Sequence, residues 1–138
     1  MRTGTPLTDA DRWDWLTALR EASMHQIHGG SDGVVLTCSA LKRKYRDVIR
    51  VAAYYDPHLL IHFIYLDAKM ETLLERVAAR QGHYMGANMV QSQFADLEPP
   101  SPYEKDIINV DVSRDLEQVK KDAAARVLSS MDKDARGE

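Results

Sequence analysis

Apolar residues along the chain change period several times, and each change marks an element. Trp15, Leu16, Leu19 and Ala22 recur at three- and four-residue steps, which predicts a helix. Thr8 with Asp11 three residues on, and Pro6 just outside, is a start signal of the capping-box kind. "HGGSDG", His28 to Gly33, ends that helix and feeds "VVLTC", Val34 to Cys38. A short β-branched run without alternation predicts a strand buried on both faces. From Leu41 the period is helical again: Leu41, Tyr45, Val48, Ile49 and Ala52 fall on one side, and Lys42, Arg46 and Arg50 line another. Asp56-Pro57 breaks this helix, and "LLIHFIYL", Leu59 to Leu66, reads as a second buried strand.

Met70, Leu73, Leu74, Val77 and Ala78 give the next helical face, closed by Gly82. Gly82 to Pro102 is rich in Gly and Pro, which predicts an excursion holding one short helix through Met89 to Phe94. "DIINVDV", Asp106 to Val112, is the third predicted strand. Ser113 is placed to cap a last helix that turns Leu116, Val119, Ala123 and Val127 inward. Helices alternating with strands predict an α/β fold, a three-layer sandwich around a mainly parallel sheet. A chain of 138 residues, 44% hydrophobic, is the size of one domain. The expected organisation is residues 1–131, with a lid excursion at about 82–102, and a disordered tail over 132–138.

Composition narrows the function classes. The formal net charge is −3, so bulk positive charge does not hold a nucleic acid here, and any anion must be met locally. The longest apolar run, Leu59 to Leu66, falls far short of the ~20 residues of a membrane span, so no membrane partner is expected. "MRTGTPLTDADRWDW" contains no apolar leader, and the single Cys38 cannot form an internal disulfide. A reducing, cytoplasmic setting is the expectation.

In open α/β sheets ligands gather beyond the carboxyl ends of strands, which directs attention to Ser39 and Lys42. The stripe through Lys42, Arg46 and Arg50 has two readings, an anion or polyol site at a helix start and a merely solvated basic face. A second row, Lys69, Arg76 and Arg80, leads into Gly82, His83 and Tyr84. Guanidinium forks one turn apart match phosphate oxygens, and a basic face near a helix C-terminus fits equally well. Neither His25 with His28 nor any neighbour completes a zinc set, so no metal site is expected. Cys38 reads as an inert buried thiol and His62 as a hydrogen-bonded structural residue. Asp9, Asp11 and Asp14 read as first-turn charges complementing the helix dipole, with Arg12 free to reach a ligand.

Four segments in order, "GTPLTDADRWDWL", "CSALKRKYRD", "RVAARQGHYM" and "QSQFADLEPP", resemble the gluconate kinase family, small relatives of shikimate and adenylate kinases. The resemblance implies ATP- and Mg²⁺-dependent phosphorylation of D-gluconate at its terminal hydroxyl, on a P-loop kinase-like fold. It implies Ser39, Lys42 and Arg46 around the sugar acid, with Arg12 reaching the same pocket and His83 alongside. Arg76 and Arg80 would serve the nucleotide side, Lys42 and Arg80 would carry catalysis, and Ser113 and Arg114 would flank adenine. The two cationic rows would face one shared crevice. The resemblance leaves a homodimer open as the assembly.

The chain departs from the family in one respect. Members carry a strand, a GxxxxGK[ST] phosphate loop and a second strand with a "DxDxxH" segment, and these 138 residues contain none of them. "HGGSDG" lacks the lysine and precedes a strand, so it fails as a phosphate loop. The expectation is a family member without roughly the first 45 residues, missing the first two strands of the fold. Two consequences are expected. Kinase activity of this chain by itself is negligible. The strands at Val34–Cys38 and Leu59–Leu66, neighbours of the absent central strand, either pair directly or leave backbone groups unsatisfied at about 1 to 3 kcal/mol each if buried. A non-catalytic short form that binds gluconate or a full-length subunit is the alternative.

Overall fold

The computed structural model describes residues 8–79 and 87–137. They form five helices and two strands: α1 (Asp9–His28), α2 (Arg43–Tyr55), β1 (Phe63–Asp67), α3 (Met70–Ala79), α4 (Ala87–Asp96), β2 (Ile107–Asp111) and α5 (Leu116–Ala135). Two compact units divide the chain. One holds α1, α2, α4 and the stretch on to Pro99; the other holds β1 and α3 together with everything from Pro100.

In the first unit, α1 starts at the predicted capping box. The Thr8 hydroxyl accepts from the Asp11 N–H at 3.2 Å, and the Asp11 carboxylate accepts from the Thr8 N–H at 3.1 Å. Its buried seam differs from the predicted one. Arg12 and Leu16 are buried, with Leu19, Ser23 and Ile27 half-buried behind them, whereas Trp15 is 39% exposed and Ala22 is exposed. The seam runs in three- and four-residue steps and begins on a cation, which hydrophobicity alone cannot select. It packs against α2, where Tyr45, Val48, Ile49 and Ala52 are buried as expected, and Arg20 donates to the Val48 carbonyl at 3.0 Å. Arg46 is buried on α2 as well, which removes the solvated-face reading for that residue.

The predicted strand at Val34–Cys38 is not one: the segment joins no ladder among the described residues, and Val35 is 96% exposed. A strand exists only through its neighbours, and β propensity without a partner edge leaves an irregular segment. It does not pair with the next predicted strand, of which only Phe63 to Leu66 is in the sheet, with Asp67 added.

The second unit is built on that sheet. β1 and β2 pair in parallel, in register from Phe63 opposite Ile107 to Asp67 opposite Asp111. Bonds at both ends extend the pairing, from the Phe63 N–H to the Asp106 carbonyl (2.8 Å) and from the Val112 N–H to the Asp67 carbonyl (3.0 Å). Ile108, Val110 and Val112 form the core with Ala68 and with Val119, Ala123 and Val127 of α5. Alternation along β2 turns those three residues to one face, and the 3–4 spacing on α5 supplies the cover.

The cap of α5 is Asp115 rather than Ser113, because the Ser113 hydroxyl and N–H are both bonded to the Asp111 carboxylate, at 2.7 and 2.9 Å. Asp115 accepts from the Gln118 N–H at 2.9 Å. Leu116, predicted to turn inward, is 66% exposed. Helix α5 continues through Ala135, where the polar composition predicts fraying, and Asp134 holds the His62 ring at 2.6 Å. His62 is thus the structural residue the sequence suggests.

Candidate functional site

The short segment between Cys38 and Lys42 leads from the irregular run Val34–Cys38 into α2, and side chains from α1 and α2 converge on it. Arg12 Nη1 donates to the Ser39 carbonyl at 3.4 Å, and Arg46 Nη1 donates to the Ala40 carbonyl at 3.1 Å. Both guanidinium groups are withdrawn from water, at 2% and 4% exposure. Two arginines from separate helices therefore grip consecutive peptide groups, and the Ser39 residue between them stays exposed.

Tyr45 is the pivot of this arrangement. Its ring is buried, with the Arg12 guanidinium carbon 5.6 Å from the centroid and the Lys42 and Lys44 ammonium groups each at 5.8 Å. Its hydroxyl donates to Asp9, whose other oxygen receives the Lys44 ammonium group, and Lys42 Nζ lies 3.8 Å from the same carboxylate. Asp9 is held well below the ordinary carboxylate range, at about 2, by the Lys44 bond first and the Tyr45 bond second. Burial, reinforced by the Asp9 bond, pushes the Tyr45 phenol up to about 12, so it stays a neutral donor.

Arg12, Lys42 and Lys44 thus surround the Tyr45 ring, and the two lysines share the Asp9 carboxylate; Asp96 adds a weaker negative field, and Arg46, on the Ala40 carbonyl, makes further interactions of its own. Arg12 has no carboxylate within ion-pair distance among the described residues. A buried cation so placed is an unfavourable arrangement until an anion or polar ligand joins it.

The other expected residues lie in the second unit or outside the described residues. Arg76 donates to the Val112 carbonyl and, at 3.5 Å, to the Arg114 carbonyl. Arg114 bonds the Asp111 carbonyl at 3.1 Å and the Asp122 carboxylate at 2.9 Å. Asp111 is held below its ordinary range by the Ser113 N–H and hydroxyl. Arg76, Ser113 and Arg114 are therefore one cluster just past the carboxyl end of β2, the end at which open α/β sheets bind ligands. Arg80 and His83, with the first part of the excursion, fall outside the residues described. Lys42 and Arg46 belong to one unit and Arg76 to the other.

Mg²⁺ needs an oxygen donor set, and among the described residues no group of three or more His, Cys, Asp or Glu stands together. Mg²⁺ in phosphoryl-transfer sites is held by one or two carboxylates together with phosphate oxygens, so a full protein cage is not what such a site requires. Cys38 is half-buried, and burial pushes its thiol up, away from the reactive thiolate. No described helix is long and apolar enough to cross a membrane.

Sequence reasoning missed Asp9, Tyr45 and Glu98. Asp9 resembled any acidic first-turn residue and Tyr45 any core aromatic, and the contact joining them spans 36 positions. Glu98 accepts from the Arg43 N–H across 55 positions. A bulky phenol in the middle of a basic stripe was the one available signal.

No family model matches the chain. It is 49% identical over 119 residues to a probable gluconokinase of Schizosaccharomyces pombe, covering 86% of this chain and 61% of that protein. It is 38% identical over 135 residues to a probable gluconokinase of Saccharomyces cerevisiae, covering 95% and 68% respectively. The crystal structure of a gluconokinase from Sinorhizobium meliloti 1021 superposes with a TM-score of 0.75 at 36% identity, over 92% of this chain and 67% of that one. The chain thus spans about two thirds of the length of these relatives. That likeness, in sequence and in an α/β fold of the P-loop kinase kind, runs through both units, and the chain belongs to the gluconokinase family.

Proposed function

We propose that this chain carries the sugar-acid side of a gluconokinase: Arg12, Lys42 and Arg46, with Ser39, hold D-gluconate, and the chain by itself binds without turning over. The observation that carries this reading is the burial of Arg12 with no carboxylate partner among the described residues, beside Lys42 and the Ser39 peptide. A sugar acid supplies what is lacking there, a carboxylate for the cations and hydroxyl groups for peptide and serine partners. Lys42 then serves a second purpose, because its ammonium group, 3.8 Å from Asp9 rather than tightly paired, can turn to charge developing on a transferred phosphoryl group.

The nucleotide side of the reading rests on Arg76, Ser113 and Arg114, whose backbone and side-chain bonds hold the turn after β2 in one conformation. Arg80 and His83 are assigned to the phosphates and the sugar acid by resemblance. ATP is the expected phosphoryl donor, since the relatives are named gluconokinases. The 138 residues contain no GxxxxGK[ST] loop to cradle its phosphates, which is the reason for expecting binding without catalysis.

Two measurements test this. Calorimetric titration with D-gluconate should show binding that Lys42→Ala and Arg46→Ala abolish; no heat with the unaltered chain ends the sugar-acid reading. A coupled assay with ATP, Mg²⁺ and gluconate should show no turnover, and a rate of about one per second or faster, ordinary for a kinase, would show that the phosphate loop is dispensable.

A further inference from the structure

Helix α2, which carries the site's cations, starts badly by itself. Lys42 stands at the N-cap position and makes no side-chain cap, the first turn contains no acidic residue, and Arg43 and Lys44 set positive charge against the positive end of the helix dipole. The first amides of a helix lack intrahelical partners, so such a start frays unless something outside the helix satisfies them. Glu98, two residues beyond the end of α4, meets this need. Its Oε1 accepts from the Arg43 N–H at 3.1 Å, and its own N–H donates to the Leu41 carbonyl at 2.7 Å.

These two bonds bracket Lys42, one on each side. Pro99 restricts Glu98 to extended backbone, the conformation in which its N–H and side chain can address a neighbouring chain segment together. Met89 and Val90 of α4 are buried, so the support behind Glu98 is anchored.

We propose that Glu98 is a positioning residue for the anion site. It caps α2 from a distant segment and fixes the peptide groups on either side of Lys42, so that Lys42 and Arg46 are oriented before ligand arrives. The inference rests on the sugar-acid reading for its functional part. Its structural part, that Glu98 orders residues 41–46, stands by itself.

The experiment uses the 138-residue chain with Glu98→Ala and Glu98→Gln, since glutamine keeps the accepting oxygen and loses the charge. NMR amide exchange at Arg43 is read without ligand, and D-gluconate affinity is read by calorimetry. In Glu98→Ala the Arg43 amide should exchange about tenfold faster and gluconate affinity should fall about tenfold, as expected for a lost cap; Glu98→Gln should stay within about twofold on both. Unchanged Arg43 exchange in Glu98→Ala overturns the cap. Faster exchange with unaltered affinity overturns the positioning role. If the unaltered chain does not bind gluconate, the sugar-acid reading has failed, and the exchange data alone still decide whether Glu98 orders the start of α2.

Discussion

Replacing Arg12 with methionine separates a cation held for a ligand from one held for the fold. The substitution keeps an unbranched apolar stem in a 2%-exposed position and removes only the guanidinium. What the fold loses is small. The bond to the Ser39 carbonyl is long at 3.4 Å, worth about 1.5 kcal/mol at the lower end for a charged donor, and the stacking on Tyr45 at 5.6 Å is worth about 1 kcal/mol. What it regains is the desolvation of a buried charge with no carboxylate beside it among the described residues, several kcal/mol per ion. The balance predicts that Arg12→Met unfolds in urea at the same midpoint as the unaltered chain or is more stable by up to about 2 kcal/mol. Both tryptophans, Trp13 and Trp15, flank the site on α1, so their fluorescence follows this region directly. Gluconate affinity should fall by at least about a hundredfold, the loss expected when one partner of a charge-assisted contact is removed. A variant destabilised by more than about 3 kcal/mol that still binds gluconate normally would show that Arg12 is a structural cation.

Three further outcomes are expected. Tyr45, pushed up to about 12 from an ordinary 10.0, contributes stability that is complete below pH 10 and disappears as pH rises through 12; ultraviolet titration should show a late phenol that Tyr45→Phe removes. Asp9 has the opposite sign. Its folded value of about 2 lies below the ordinary 3.8, so it stabilises above pH 3.8 and that stability is lost as pH falls toward 2, a part of the acid-unfolding slope that Asp9→Asn should remove while Asp11, Asp111 and Asp122 keep theirs. Leu16→Ala and Val110→Ala each empty a fully buried position, one in each unit, and should cost about 3 and about 2 kcal/mol in chemical denaturation.

Much of the candidate site was legible because the relevant spacing is local. Lys42 and Arg46 are one turn apart on a helix whose apolar face, Tyr45, Val48, Ile49 and Ala52, is marked by its period. The start of α1 was equally readable, since a capping box closes over four consecutive residues. Val34–Cys38 failed for a physical reason. Its composition favours a strand, but strand formation is settled by pairing, and the segment pairs with no described residue.

By itself, then, the sequence determined the helices, the two strands that pair and the row of cations proposed to meet an anion, all of which depend on propensity, period and capping over a few positions. Tertiary structure alone decided which of the cations are buried, that Tyr45 and Asp9 draw Arg12, Lys42 and Lys44 into one cluster, and that Glu98 supplies the cap α2 lacks. Those outcomes depend on side chains 27 to 55 positions apart meeting in space, and no local pattern carries that information.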